Sequence, residues 1–397
     1  MKKHYCLALY LLLSPLSTFG QQAIWDKPAV VSPEVSSDQR VTFRIFAPNA
    51  KKVELNGDFL PEKVIQTSFG EMSVPAPVTM LQRNDGIWEY TTAVLPSELY
   101  NYSFNIDDMR TTDPSNVFTI RDVSTISNYF LIAGGKGDIY SVNDVPHGSV
   151  SRVWYDSPTL GMKRRMTVYT PPGYEQSSQE YPVLYLLHGM GGDEEAWVAL
   201  GRTAQILDNL IASGEAKPMI VVMTNGNAAQ EAAPGEAQGG LRKPETMLPK
   251  TMDGTFEGSF QDVVSFIDSN YQTQKTKSGR AIAGLSMGGF HSLHISKTYP
   301  DLFDYVGLFS AAILPSRGAS SPLYENTEQK LKEQFAKQPK LYWIAIGQTD
   351  FLYNANVDFR KILDENKYPY TYVETGGGHT WRNWRDYLSR FSVLLFK

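Results

Sequence analysis

The sequence predicts two domains, an all-β sandwich followed by a mostly parallel, doubly wound α/β sheet. Three observations carry that expectation. Early segments are short, alternate apolar with polar residues and stop at turn signals. Beyond residue 146 the runs become continuously apolar and are separated by helical patterns. Within that second region, residues 280–299 read as strand, sharp turn and helix around Gly284-Leu285-Ser286-Met287-Gly288. The chain has 397 residues, enough for two cores.

Taken from its start, the chain opens with Lys2 and Lys3 and an apolar run from Leu7 to Leu13 that is too short to span a bilayer. Small residues, Thr18 and Gly20, follow at the positions that direct cleavage, so residues 1–20 read as a secretory signal peptide. That implies a secreted or periplasmic protein. The single cysteine, Cys6, lies inside this leader, which leaves the mature chain without disulfide or thiol chemistry. The formal charge is −5, and about −7 once the two leader lysines are removed. This mild acidity argues against nucleic acid as a partner, and no later run is long and apolar enough for membrane insertion. The sequence leaves the oligomeric state open.

Residues 21–137 are expected to form the sandwich. Val41–Ala47, Lys52–Leu55, Ile87–Thr92 and Tyr100–Ile106 alternate, and Asn56-Gly57, Asp85-Gly86 and Asp107-Asp108 punctuate them. The aromatics Trp88, Tyr100, Tyr102 and Phe104 could offer a platform for sugars. Alternation buries one face of each strand in any case, so core filling is the preferred reading. Ala133–Asp138, rich in glycine, reads as a linker. The second domain then takes residues 138–397. Its apolar strands are Met166–Tyr169, Val183–Leu187, Met219–Met223, Ala281–Ala283, Tyr305–Ser310, Leu341–Ile346 and Tyr370–Val373. Such strands suit a sheet covered by helices on both faces.

Gly284-x-Ser286-x-Gly288 between a strand and a helix fits a nucleophile elbow, in which a strained turn lifts the serine hydroxyl clear of the sheet. A serine needs a base, and an α/β-hydrolase supplies an acid and then a histidine downstream. Three histidines follow Ser286, at positions 291, 294 and 379. His294 falls within the elbow helix and is expected to pack there. His379 follows a short strand and the glycines 376–378. Between them, the apolar strand Leu341–Ile346 ends in a turn carrying Asp350. Ser286, Asp350 and His379 thus stand in the required order, each at the carboxyl end of a strand. The oxyanion of an ester's tetrahedral intermediate needs two backbone donors. Met287 is the first, and the loop Leu186–Gly192 should give the second, from Met190 with Gly189 next. Trp197 and Trp381 could receive a planar acyl group, with wall packing the alternative and the expectation for Trp384. The long segment 225–250 suggests a lid or substrate rim, and Asp262 on a helical segment reads as structural. This chemistry needs no metal or cofactor.

These pieces carry a family resemblance. In residues 146–397, "VPHGSV", "VYTPPGYE", "YPVLYLLHGMGGDEEAW", "RAIAGLSMGG", "YPDLFDYVGLFSAA", "IGQTDFL" and "GGGHTWRNW" resemble the esterase-D-like α/β-hydrolases of carbohydrate esterase family 1. That family includes feruloyl and acetylxylan esterases and mycolyltransferase-like enzymes, with enterochelin esterases as relatives. The first domain, through "RIFAPNAKKVELNGDF", "DGIWEYTT" and "YNYSFNIDD", is similar to early-set immunoglobulin-like domains of the glycogen-binding type. The resemblance implies Ser286 as nucleophile, Asp350 as acid, His379 as base, and Met287 and Met190 as oxyanion donors. It further implies a feruloyl esterase acting on plant cell-wall oligosaccharide. Acetylxylan and siderophore esters are alternatives, and a carbohydrate-binding protein on an inactive hydrolase scaffold is the non-enzyme alternative.

Overall fold

The computed structural model describes residues 30–67, 70–238, 240–315 and 320–397; the expected signal peptide with Cys6 lies outside the described residues. The first domain is built of antiparallel sheets. One runs in the order Glu34–Val35, Val41–Phe46, Ile87–Thr91, Leu81–Gln82. The other runs Thr119–Asp122, Thr125–Leu131, Leu99–Ile106, Val53–Gly57, Val78–Thr79, with Met109–Thr111 also pairing Leu99–Ile106. Alternation sets the faces: Val41, Phe43 and Ile45 are buried, while Thr42 and Arg44 between them are only half-buried. Trp88, Tyr100, Tyr102 and Phe104 are all buried and pack with Phe43 and Phe130. They fill the sandwich rather than form a sugar platform.

The second domain is an eight-stranded sheet. In chain order its strands are β1 (Ser149–Ser157), β2 (Met162–Thr170), β3 (Val183–Leu187), β4 (Ile220–Thr224), β5 (Arg280–Leu285), β6 (Tyr305–Phe309), β7 (Leu341–Gly347) and β8 (Thr371–Thr375). Their spatial order is β1-β2-β4-β3-β5-β6-β7-β8, with β1 and β2 antiparallel and β3 to β8 parallel. The sequence reading missed β1, an edge strand whose mostly exposed residues give no apolar run. The helices that matter below are α1 (Thr203–Ala212), α2 (Thr255–Asn270), α3 (Met287–Thr298) and α4 (Trp381–Ser392). Side chains of β3 alternate between two cores. Val183, Tyr185 and Leu187 face a layer containing Phe256 and Phe260 of α2 and Leu293 of α3. Leu184 and Leu186 face Ile206 and Leu207 of α1 and Leu388 of α4. The helices therefore cover both faces, which is why β3 to β6 read as uninterrupted apolar runs. Asp262 is structural as expected: its carboxylate accepts from Ser157 Oγ at 2.6 Å and Thr159 N at 3.0 Å, tying α2 to the β1–β2 turn.

The two domains are packed as one body. The segment expected to be a linker instead holds a short helix, Lys136–Tyr140. Asn209 of α1 donates to the carbonyls of Ile139 and Ser141 at 2.9 and 3.0 Å, which fixes that helix to the second domain. Leu99 of the sandwich is buried in the same core as α1 and α4. Arg385 of α4 is fully buried; its Nη2 donates to Glu98 Oε1 at 3.1 Å and to the Leu99 carbonyl at 2.8 Å. Arg382, one turn earlier, donates to the Asp58 carbonyl at 2.8 Å.

Candidate active site

Ser286 lies between β5 and α3 with φ 54° and ψ −116°, a region that non-glycine residues rarely occupy. Three backbone bonds hold it there: Ser286 N to Phe309 O at 2.9 Å, Ala312 N to Ser286 O at 3.0 Å and Phe290 N to Ser286 O at 3.1 Å. The flanking glycines have steric reasons. A Cβ on Gly284 would collide with the backbone of Gly288, and one on Gly288 would strike the carbonyls of Leu187 and His188. The elbow closes only because both are bare.

Asp350 follows β7, and its side chain is fully buried. Its oxygens accept from His379 Nδ1 at 3.1 and 2.9 Å and from Leu352 N at 2.9 Å. The imidazole of His379 therefore donates through Nδ1 and keeps Nε2 basic. His379 sits in the turn between β8 and α4, flanked by the rings of Phe351 and Trp384 at 4.5 and 4.9 Å. Asn383, on the first turn of α4, donates to the carbonyls of Gly376 and Gly378 at 3.2 and 2.9 Å and so fixes the glycine turn that presents the imidazole. Ser286 and His379 line one cavity of about 750 Å³.

The loop after β3 packs against the serine. A Cβ on Gly189 would meet the Leu285 side chain and come within 3.3 Å of Ser286 Cβ. His188 organises this loop, a role the sequence reading did not assign. Its Nδ1 donates to the Gly189 carbonyl at 2.7 Å, and its Nε2 accepts from Gly226 N at 2.7 Å. Burial pushes this imidazole down to about 4, so it stays neutral and can accept at Nε2. Met190 and Gly189 line the cavity, and the Met190 side chain packs with Met252, Met287 and Phe290. Met287 is the first residue of α3, where backbone N–H groups have no partner within the helix.

One expected substrate contact is corrected. Trp197 is buried, its indole N–H is committed to the Leu187 carbonyl at 2.9 Å, and it does not line the cavity. It backs Trp381, which does line the cavity, edge to face at 5.3 Å. Adjacency to the oxyanion loop in sequence did not say which side of the short helix Ala196–Ala199 would face the site. Trp384 is buried and forms wall, as expected, with part of its surface on the cavity. His294 packs between Phe290 and Tyr324 at 4.2 and 4.5 Å, away from the cavity.

Two further segments contribute to the cavity, the first anticipated from its length and the second, in the sandwich domain, not. From the segment 225–250, Ala233, Pro234 and Glu236 form part of the rim. Buried Arg164 holds the start of that segment by donating to the Asn227 carbonyl at 3.0 Å, and Arg165 pairs with Glu236 at 3.0 Å. The sandwich domain supplies another wall: Thr67, Met72 and residues 119–123 line the same space. The hairpin 119–131 reaches it because Ile120 packs on Ala196 and Leu200.

Fold and site together define an α/β-hydrolase with a serine elbow. The chain belongs to the esterase family described as "Putative esterase", whose model matches residues 157–393, and its second domain is similar to carbohydrate esterase family 1 enzymes. Residues 29–119 match carbohydrate-binding module 48, the isoamylase N-terminal domain, an all-β immunoglobulin-like fold. The endo-1,4-beta-xylanase/feruloyl esterase of Xylanibacter ruminicola is 28% identical over 382 residues, covering 94% of this chain and 47% of that protein. The chain thus spans about half the length of that relative. Esterase Rv1288 of Mycobacterium tuberculosis is 30% identical over 184 residues, 45% of this chain and 36% of that protein. Among solved structures, a CE1 ferulic acid esterase from Anaeromyces mucronatus in complex with ferulic acid is 25% identical with a TM-score of 0.55, covering 66% of this chain and 96% of that one. The enterobactin esterase of Shigella flexneri, 16% identical, has a TM-score of 0.60 over 90% of this chain and 93% of that one, a likeness of fold across both domains.

Proposed function

We propose that the protein is an exported feruloyl esterase that cleaves hydroxycinnamoyl esters on plant cell-wall xylan oligosaccharides. Residues 1–20 would direct export and be removed. Ser286 Oγ attacks the ester carbonyl while His379 Nε2 takes its proton. The amides of Met287 and Met190 receive the oxyanion, with Gly189 next to them. His379 then protonates the departing sugar oxygen, leaving an acyl-enzyme that water opens by the same steps in reverse. Asp350 holds the imidazole in the Nδ1–H tautomer and stabilises its charged form.

The observation that carries this reading is His379, held by buried Asp350, facing the same cavity as Ser286 on its strained turn. The rings of Phe351 and Trp381 on that cavity suit a planar aromatic acyl group. The test is release of ferulate from methyl ferulate and from feruloylated arabinoxylan, beside release of acetate from acetylated xylan. Wild type should favour ferulate, and Ser286→Ala should lose at least about 10⁴-fold in kcat. Full activity in Ser286→Ala would remove the nucleophile assignment. Acetate release without ferulate would move the reading to acetylxylan.

A further inference from the structure

We propose that Asp122, on the sandwich domain, is a specificity-determining contact that accepts hydrogen bonds from hydroxyl groups of the substrate's sugar. The inference rests on the esterase reading above and deepens it. Four carboxylates line the cavity among the described residues: Asp122, Asp193, Glu195 and Glu236. Three of them face arginines. Asp193 pairs with Arg121 at 2.6 Å, Glu195 with Arg152 at 2.6 Å and with Arg165 at 3.0 Å, and Glu236 with Arg165 at 3.0 Å. Asp122 has no such side-chain partner among the described residues. Its side chain is open to the cavity, yet walls on both sides desolvate the carboxyl and push it up, against the opposing pull of Arg121. A carboxylate left in that position lacks hydrogen bonds that a ligand could make.

The chain around Asp122 is built to hold it there. Asp122 lies two residues after Ile120, so both project from the same face of their strand, and Ile120 packs on the esterase domain. The two-residue turn that follows, Val123-Ser124, sets Val123 at φ 52°, a conformation costly for a β-branched residue. Arg121 steadies this turn. It donates through Nη1 to the Val123 carbonyl at 3.0 Å and through Nη2 to Asp193. The Val123 side chain occupies the space that a Cβ on Gly191 would need, next to Met190. Strain and close packing at Val123 and a cross-domain ion pair at Arg121 thus flank Asp122.

The chemistry selects the ligand. An unpaired carboxylate offers acceptors only, and two oxygens match two neighbouring hydroxyls of a neutral sugar. Its charge disfavours an anionic group at the same place. The aromatic acyl group has rings to lie against in this cavity, at Phe351 and Trp381, whereas the hydroxyl-rich alcohol has need of acceptors.

The experiment compares one acyl group on two alcohols, a feruloylated arabinose-containing xylo-oligosaccharide and methyl ferulate, in wild type, Asp122→Asn and Asp122→Ala. The ratio of kcat/KM between the sugar ester and the methyl ester should fall about tenfold or more in Asp122→Ala and by less in Asp122→Asn. An unchanged ratio, with both esters slowed alike or neither slowed, overturns the inference while leaving the esterase reading intact. Should wild type act on acetyl and not feruloyl esters, the acyl assignment fails, and the same ratio is read with acetylated xylo-oligosaccharide against ethyl acetate. Wild type inactive on all four esters overturns both.

Discussion

His188 shows how a single protonation state can hold a loop. It accepts from Gly226 and donates to Gly189 only while neutral, and burial pushes it down to about 4 from an ordinary value of 6.5. Between those values the unfolded chain takes up a proton that the folded chain refuses. Stability therefore falls as pH drops from about 6.5 to about 4, by about 3 kcal/mol for a shift of this size. Urea unfolding of wild type and His188→Gln across that range should give curves that converge toward low pH; parallel curves would show that this imidazole is not the titrating group. The residues Ser286, Asp350 and His379 were legible in the sequence because each sits in a local pattern, a strand followed by a turn. The role of His188 is not legible locally, since its second partner, Gly226, follows a different strand. The inward face of Trp197 is not legible either, because sequence neighbours share a helix but not a face.

At the level of elements, α4 joins the two halves of the site. Its first turn carries Asn383, which fixes the glycine turn before His379, and its next carries Arg385, which reaches Glu98 in the sandwich. Asn383→Ala should let the imidazole wander and lower kcat by about 100-fold with little change in KM; steady-state kinetics on methyl ferulate read this directly. Glu98→Ala leaves the Arg385 guanidinium buried without its carboxylate, which should cost about 3–5 kcal/mol in chemical unfolding. A loss below about 1 kcal/mol would mean that the Leu99 and Leu200 carbonyls satisfy Arg385 unaided. The strands β3 to β7 were readable as apolar runs, and β1 was not, because an edge strand with one wet face gives no such run. The hairpin 119–131 alternates only weakly, and nothing local marks it as a wall of the cavity.

Across the whole molecule, two domains were legible but their union was not. Composition marks where texture changes, beyond residue 146, whereas the joint is made by Glu98 and Leu99 with Arg385, far from them in sequence. Because these groups are buried between the domains, the folded chain should melt in a single calorimetric transition. Two separated transitions would show that the sandwich and the esterase domain are independently stable. Because its walls come from both domains, the cavity around Ser286 is complete only in the joined form.

The clasp between Arg385 and Glu98 spans 287 residues. During synthesis the elbow serine is completed well before the helix that steadies His379 leaves the ribosome. The imidazole of His379 can therefore be fixed in place only after the helix Trp381–Ser392 has been made and has docked on the sandwich.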